Sequence, residues 1–206
     1  MELIRDELFK LSQTRNVAKS YRLIQENNSL SYIMPDAEFI DDLEYFNQFA
    51  SEVSFEDDAV IKMFILYRPD SSLAENMAVR LKFNRHQKQL FLSLAEKDID
   101  IEKMSNDSYL QKQTYYNGKS FIRGKLLTQA TAERKLTPKI WQIYDRIEQV
   151  PEREFPLRGK DIQELHKGQP EQIGIILKDL EQKWVDSDFS LSKDELLARI
   201  KTKQVI

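Results

Sequence analysis

No glycine precedes Gly118, and the whole chain of 206 residues has only five. Glycine is the residue that lets backbone approach a phosphate closely, so a phosphate-cradling loop is hard to build in the first half of this chain. What the apolar residues do instead is recur at helical spacing. Ile4, Leu8 and Leu11 keep one face of the N-terminal segment apolar, and Val17, Tyr21 and Ile24 do the same from Asn16 to Asn27. Asn27, Asn28 and Ser29 with Pro35 then punctuate the chain. Phe39, Leu43, Phe46 and Phe49 make an aromatic stripe whose spacing assigns it to a core rather than to a base-stacking platform. Ile61, Phe64 and Ile65 define a helix closed by Pro69; Ala74, Ala78 and Leu81 line a further one, and Leu90, Leu92 and Leu94 follow the basic residues after it. Residues 98–118 read as the least regular part. A helix is expected over 119–135, anchored by Phe121, Leu126 and Leu127, and another carries Trp141, Tyr144 and Ile147 up to Pro151. No strand-like alternation persists beyond a few positions, so the expected fold is all-α.

Three of the five glycines gather in PLRGKDIQELHKGQPEQIGIILKDLEQKW, residues 156–184. Gly159 is expected to turn the chain into a short helix, Lys160 to Lys167, with Asp161 in its positively polarised first turn. Gly168 ends that helix and Pro170 starts the next, where its missing N–H costs nothing. Ile173, Ile176, Leu177, Leu180 and Trp184 give this second helix an apolar face, and Gly174 beside it is expected to admit another backbone. Ser192 and Glu195 form a capping box for a final helix carrying Leu196, Leu197 and Ile200. The stretch reads as a helix–turn–helix unit with Arg158, Lys160 and Lys167 at its entrance. Its glycine turns and helix N-termini are either phosphate contacts or purely structural corners.

Several classes are excluded or disfavoured. No apolar run approaches the ~20 residues that cross a bilayer. Glu2, Asp6 and Glu7 stand where a signal peptide needs basic residues, and the absence of cysteine removes disulfides and thiolate metal sites, so a cytoplasmic protein is expected. The net charge of −3 hides an asymmetry. Residues 36–58 hold Asp36, Glu38, Asp41, Asp42, Glu44, Glu52, Glu56, Asp57 and Asp58 without a Lys or Arg. Arg80, Lys82, Arg85 and Lys88 then come with no acid between them, and Lys119, Arg123, Lys125, Arg134, Lys135 and Lys139 are opposed only by Glu133. Each run fits a solvated face; their repetition modestly favours a polyanionic partner.

No catalytic centre is legible. Asp98 and Asp100 have the spacing of a two-metal carboxylate pair but lack a rigid strand and a phosphate cradle, and read as a surface loop. Asp57 or Asp58 reads as the start of the following helix. His86 and His166 stand alone, making neither a triad nor a metal site.

Residues 156–184 resemble the C-terminal region of class II tRNA nucleotidyltransferases, the CCA-adding enzymes related to bacterial poly(A) polymerases. Pro156, Leu157, Gly159, Asp161, Ile162, Gly168, Gly174, Leu177 and Trp184 fit that pattern, and Phe189 and the closing DELLARI look like the family's end. IRDELFKL, SYRLI and IMPD, with Glu7, Lys10 and Pro35, are similar to the family's neck, and MAVRLKFNRHQKQ to its body. Leu3 and Asn28 depart from it, standing where the family often has arginine and glycine. The glycine-rich nucleotide loop, the metal-binding D-x-D and the base-pairing E-D-x-x-R of the family's catalytic head have no counterpart in these residues.

The resemblance implies neck-like helices over 1–35, a helical body over 36–150 and a tail-like unit over 151–206. It implies a tRNA-binding region without its own nucleotidyl-transfer site, complementing a separate head-bearing chain to which Mg²⁺ and ATP or CTP would bind. Arg80, Lys82, Arg85, Lys88, Lys119, Arg123, Lys125, Arg158, Lys160 and Lys167 are the expected RNA contacts. An exposed neck surface would favour a homodimer or partner there. The competing expectation is an all-helical protein-interaction module that no longer binds RNA.

Overall fold

The computed structural model describes residues 2–14, 16–28, 37–53, 55, 58–163 and 169–203. Pro35, Asp36, Glu56, Asp57, His166, Lys167 and Gly168 lie outside them. The fold is all-α. Among the described residues there are twelve α-helices, one 3₁₀ turn (Lys103–Ser105) and no strand. In chain order the helices are α1 (Glu2–Ser12), α2 (Val17–Glu26), α3 (Asp42–Glu52), α4 (Ala59–Tyr67), α5 (Ser71–Arg80) and α6 (Arg85–Glu96). They continue with α7 (Asp107–Asn117), α8 (Lys119–Ala132), α9 (Pro138–Gln149), α10 (Gly159–Gln163), α11 (Pro170–Asp186) and α12 (Lys193–Lys203).

Two apolar clusters hold these helices. The larger runs from Leu8 to Val150, the smaller from Leu157 to Ile200. At the centre of the first lies α4, where every residue from Val60 to Tyr67 is buried and α1, α3, α6 and α8 pack around it. A helix apolar on all sides belongs inside. Lys62 is its one cation, and its ammonium donates to the Ser12 carbonyl at 2.6 Å. Helix α8 passes close to α4 at Gly124. A Cβ there would stand 2.8 Å from Ile61 Cδ1, so this glycine, unremarked in the sequence, sets how closely α8 approaches α4. Leu43, Phe46 and Phe49 are buried as their spacing implies, as are Phe121, Leu126 and Leu127.

Four expectations are corrected. Residues 98–118 are more regular than they read, because α7 occupies 107–117. Its packing is split between two sides: Leu110 is buried in the larger cluster, while Tyr115 packs into the smaller one, so no single apolar stripe marks it. Trp141 does not share the core face of α9. Ile140, Ile143, Tyr144 and Ile147 form that face, and Trp141 is 46% exposed. Around Gly174 no close backbone is found: among the described residues a Cβ would meet nothing within 4 Å. Gly159 lies inside α10 without a positive φ, so its special conformational freedom is not used.

The glycine-poor helices end in an unusual way. Lys82, Arg134 and Asp188 adopt left-handed φ values of 51°, 52° and 54° just past α5, α8 and α11. In each case the next N–H reaches back into the helix: Phe83 to Ala78, Lys135 to Ala130, and Phe189 to Trp184, at 2.9–3.0 Å. This is the Schellman arrangement, with a charged residue where glycine is usual. Each stop is also tied to a distant element. Arg5 donates to the Lys82 carbonyl, Arg134 to Asp42, and Ser108 to Asp188, which Lys112 also meets.

Burial also sets the alkaline limit of the fold. The Tyr21 and Tyr144 hydroxyls are pushed up to about 12 by burial, and Tyr115 is raised for the same first reason, with Glu181 adding to it. Below pH ~10 the rings are neutral whether the chain is folded or not, and their stabilising contribution is whole. Between pH ~10 and 12 the unfolded rings ionise first, so stability falls through that window. Titration at 295 nm should therefore resolve a group of tyrosines among the eight that ionises only as helical circular dichroism is lost; independent, earlier ionisation of all of them would contradict the burial.

Candidate nucleic-acid interface

The expected RNA-contacting residues fall into three places. The first is the corner between α5 and α6. Leu81 and Phe83 are buried on either side of Lys82, and this anchoring turns the lysine outward. Asn84 caps α6 by accepting from the Gln87 N–H at 2.9 Å, and the Gln87 side chain accepts from the Asn84 N–H in return. Arg85 is the first residue of α6 and is exposed. Arg80 closes α5, Lys88 pairs with Glu75, and Lys82 lies 3.7 Å from Glu2. Cations at a helix N-terminus oppose the dipole. Arg85, His86 and Lys88 nonetheless crowd the start of α6, adding side-chain charge to a partial positive charge already there.

The second place is α8, where the three expected contacts do not converge. Lys119 donates to the Glu148 carbonyl at 3.0 Å. Arg123 pairs with the Glu148 carboxylate and lies 5.4 Å from the Tyr144 ring centre. Lys125 points to Asp98 at 3.1 Å and over Phe64. The third place is the start of the C-terminal unit. Arg158 is exposed and reaches Glu154 at 3.3 Å, Lys160 is exposed, and Lys167 lies outside the described residues. Asp161 accepts from the Arg158 N–H and from Lys193, joining α10 to the start of α12. These bonds, Lys193 first, hold its carboxyl below the ordinary range.

The acidic block serves largely as counter-ion. Asp41 and Glu44 take Arg22, buried Asp42 takes Arg68 and Arg134, and Asp58 caps α4 through the Val60 N–H at 2.8 Å. Asp98 and Asp100 do not fit a pair of magnesium ligands. Asp98 faces Lys125, and Asp100 binds the ammonium and N–H of Lys103. Among the described residues, no three His, Asp or Glu side chains are grouped to hold a metal ion.

A concavity of about 830 Å³ is one that sequence reading missed. It opens between the α3–α4 connection, the start of α6, α8 and α9, with Phe55, Trp141 and Tyr144 among its lining residues. The available signal was the register of α9: Ile140, Ile143, Tyr144 and Ile147 complete a helical face that leaves Trp141 out.

One relative gives the fold a context. CCA tRNA nucleotidyltransferase 1, mitochondrial, of Danio rerio is 27% identical over 135 residues. The match covers 66% of this chain and 31% of the relative, so the chain corresponds to under a third of that protein's length. No family model matches the sequence. The similarity is distant and partial, and it agrees in direction with the family resemblance read from the sequence. No helix among the described residues is long and apolar enough to cross a membrane.

Proposed function

We propose that this chain is a tRNA-binding helical unit of the kind found in CCA-adding enzymes and poly(A) polymerases. It holds RNA, while nucleotidyl transfer is carried by a glycine-rich catalytic head that is no part of these residues. The observation that carries the reading is the similarity to the Danio rerio nucleotidyltransferase over two-thirds of the chain. Two features of the molecule support it. The α5–α6 corner sets Lys82 and Arg85 beside a helix N-terminus, and the start of the C-terminal unit exposes Arg158 and Lys160. Such surfaces meet phosphate oxygens and read shape rather than base sequence. The body residues Arg123 and Lys125 are held in intramolecular pairs and serve packing first.

The test is tRNA binding at two salt concentrations, with a single strand of equal length as control. Selective binding that weakens ~10-fold or more with added salt is the expected result. Replacing Lys82, Arg85, Arg158 and Lys160 with alanine should flatten the salt slope by roughly 0.7–0.9 for each phosphate no longer neutralised. Unchanged affinity and slope would remove these residues from the interface. No binding at all would favour the protein-interaction reading. A catalytic head polypeptide, tRNA lacking its terminal adenosine, ATP and Mg²⁺ then form the second assay, in which label incorporation requires both chains.

A further inference from the structure

We propose that the 830 Å³ cleft binds an organic dication with an apolar stem, the chemistry of an aliphatic diamine or polyamine. This ligand is separate from RNA, and the lining is what selects it. Glu52 ends α3 and Asp58 caps α4 on one side, while Asp145 and Glu148 of α9 line the other. Among the described residues Arg123 is the only Lys or Arg in that lining, and it is already taken by Glu148. His86 and the positively polarised start of α6 lie on one wall, but four carboxylates against one arginine leave the described lining acidic, which favours cations.

The apolar lining narrows the class further. Trp141 and Asp145 stand four residues apart on α9 and share a face, so an aromatic surface and a carboxylate are presented together. Phe55 packs edge-on to Tyr144 with ring centres 6.2 Å apart. Tyr144 is buried with the Arg123 guanidinium over its ring, so Trp141, which is exposed, is the aromatic surface open to a ligand cation. A bare metal ion fits poorly, because the carboxylates are too dispersed to group three ligands among the described residues. A dication whose charges are separated by methylenes meets carboxylates on both sides and lays its stem on the rings. The volume falls within the ~300–1,000 Å³ of ordinary small-ligand sites.

Calorimetric titration of the full chain with 1,5-diaminopentane at low salt tests this, with Trp141 fluorescence in a Trp184→Phe background as a second readout. Saturable one-to-one binding with a change in Trp141 emission is expected. Pentylamine should bind ~10-fold or more weaker, and 1,5-pentanediol and MgCl₂ should leave the emission unchanged. The double variant Glu52→Gln/Asp145→Asn removes charge at exposed positions with little change of shape and should weaken the diamine ~10-fold or more. Trp141→Ala should also weaken it while leaving the circular dichroism intact. No saturation by about 10 mM diamine, equal response to Mg²⁺, or unchanged binding in both variants would overturn the proposal. So would a lysine-rich peptide that occupies the cleft when diamines do not.

Discussion

Replacing Trp184 with alanine is expected to cost ~3–5 kcal/mol and to free the C-terminal helices before the rest of the chain unfolds. Trp184 is buried at the centre of an aromatic group. Its ring centre lies 5.0 Å from Phe189, 5.6 Å from Phe155 and 5.7 Å from Tyr115. Only Tyr115 comes from the larger part of the fold, where α7 presents it, and its hydroxyl donates to Glu181. Tyr116 to Gln182, with Ser108 and Lys112 to Asp188, are the flanking polar contacts. These exposed bonds contribute little alone; the aromatic group supplies most of the docking energy. Denaturation followed by circular dichroism should show a second, earlier transition in the variant. Limited proteolysis should cut first in the C-terminal helices, α10 to α12. A single transition shifted by under ~1 kcal/mol would mean that the two clusters are joined by something other than this group.

Arg68→Ala should destabilise the chain by about 3 kcal/mol, and Arg134→Ala by ~1 kcal/mol or less, although both arginines bind the same carboxylate. Asp42 is 4% exposed. The Arg68 side chain is 25% exposed and its guanidinium lies 4.1 Å from the Phe39 ring centre, whereas the Arg134 side chain is 56% exposed. Removing Arg68 leaves a buried carboxylate facing a cation that water screens, and it also strips a stacked plane from Phe39. Alanine relieves nothing in return, because position 68 has φ 36° and alanine is strained there too. Arg68 Nε is buried with no acceptor among the described residues, which places the loss at the low end of the range for buried pairs. Arg68→Lys should recover little, since an ammonium lacks the planar face that lies on Phe39 while Nη2 reaches Asp42. Urea denaturation of the three variants measures this; equal losses for Arg68→Ala and Arg134→Ala would show that exposure does not rank the two pairs.

The helices were legible because their apolar positions repeat, and several ends were legible from local chemistry. Asp58 caps α4, Pro170 opens α11, and Ser192 and Glu195 exchange hydrogen bonds as their spacing implies. Helix α7 was obscured because it serves two clusters at once, and Trp141 was misplaced by reading one position off the true face of α9. The charge runs misled in a different way. A run such as Lys119 to Lys139 is opposed along the chain only by Glu133, yet Arg123 finds Glu148 and Lys125 finds Asp98. Each partner is more than twenty residues away, and only packing brings them together. For the same reason the cleft could not be foreseen, since its carboxylates arrive from separate helices.

The charged stops after α5, α8 and α11 bear on how the chain could be altered. A glycine at Lys82, Arg134 or Asp188 would relax the local backbone, and a standard stabilisation campaign would choose those positions first. At Arg134 and Asp188, however, the side chain that sits in the unfavourable conformation is also the one holding a remote helix, so easing the turn discards the tether. At Lys82 the main tether is a main-chain carbonyl, which any residue supplies, and the side chain adds an exposed 3.7 Å pair with Glu2 that contributes little. Three positions that look equivalent as helix ends are therefore unequal as targets for redesign, and only the first offers local relief without slackening the assembly.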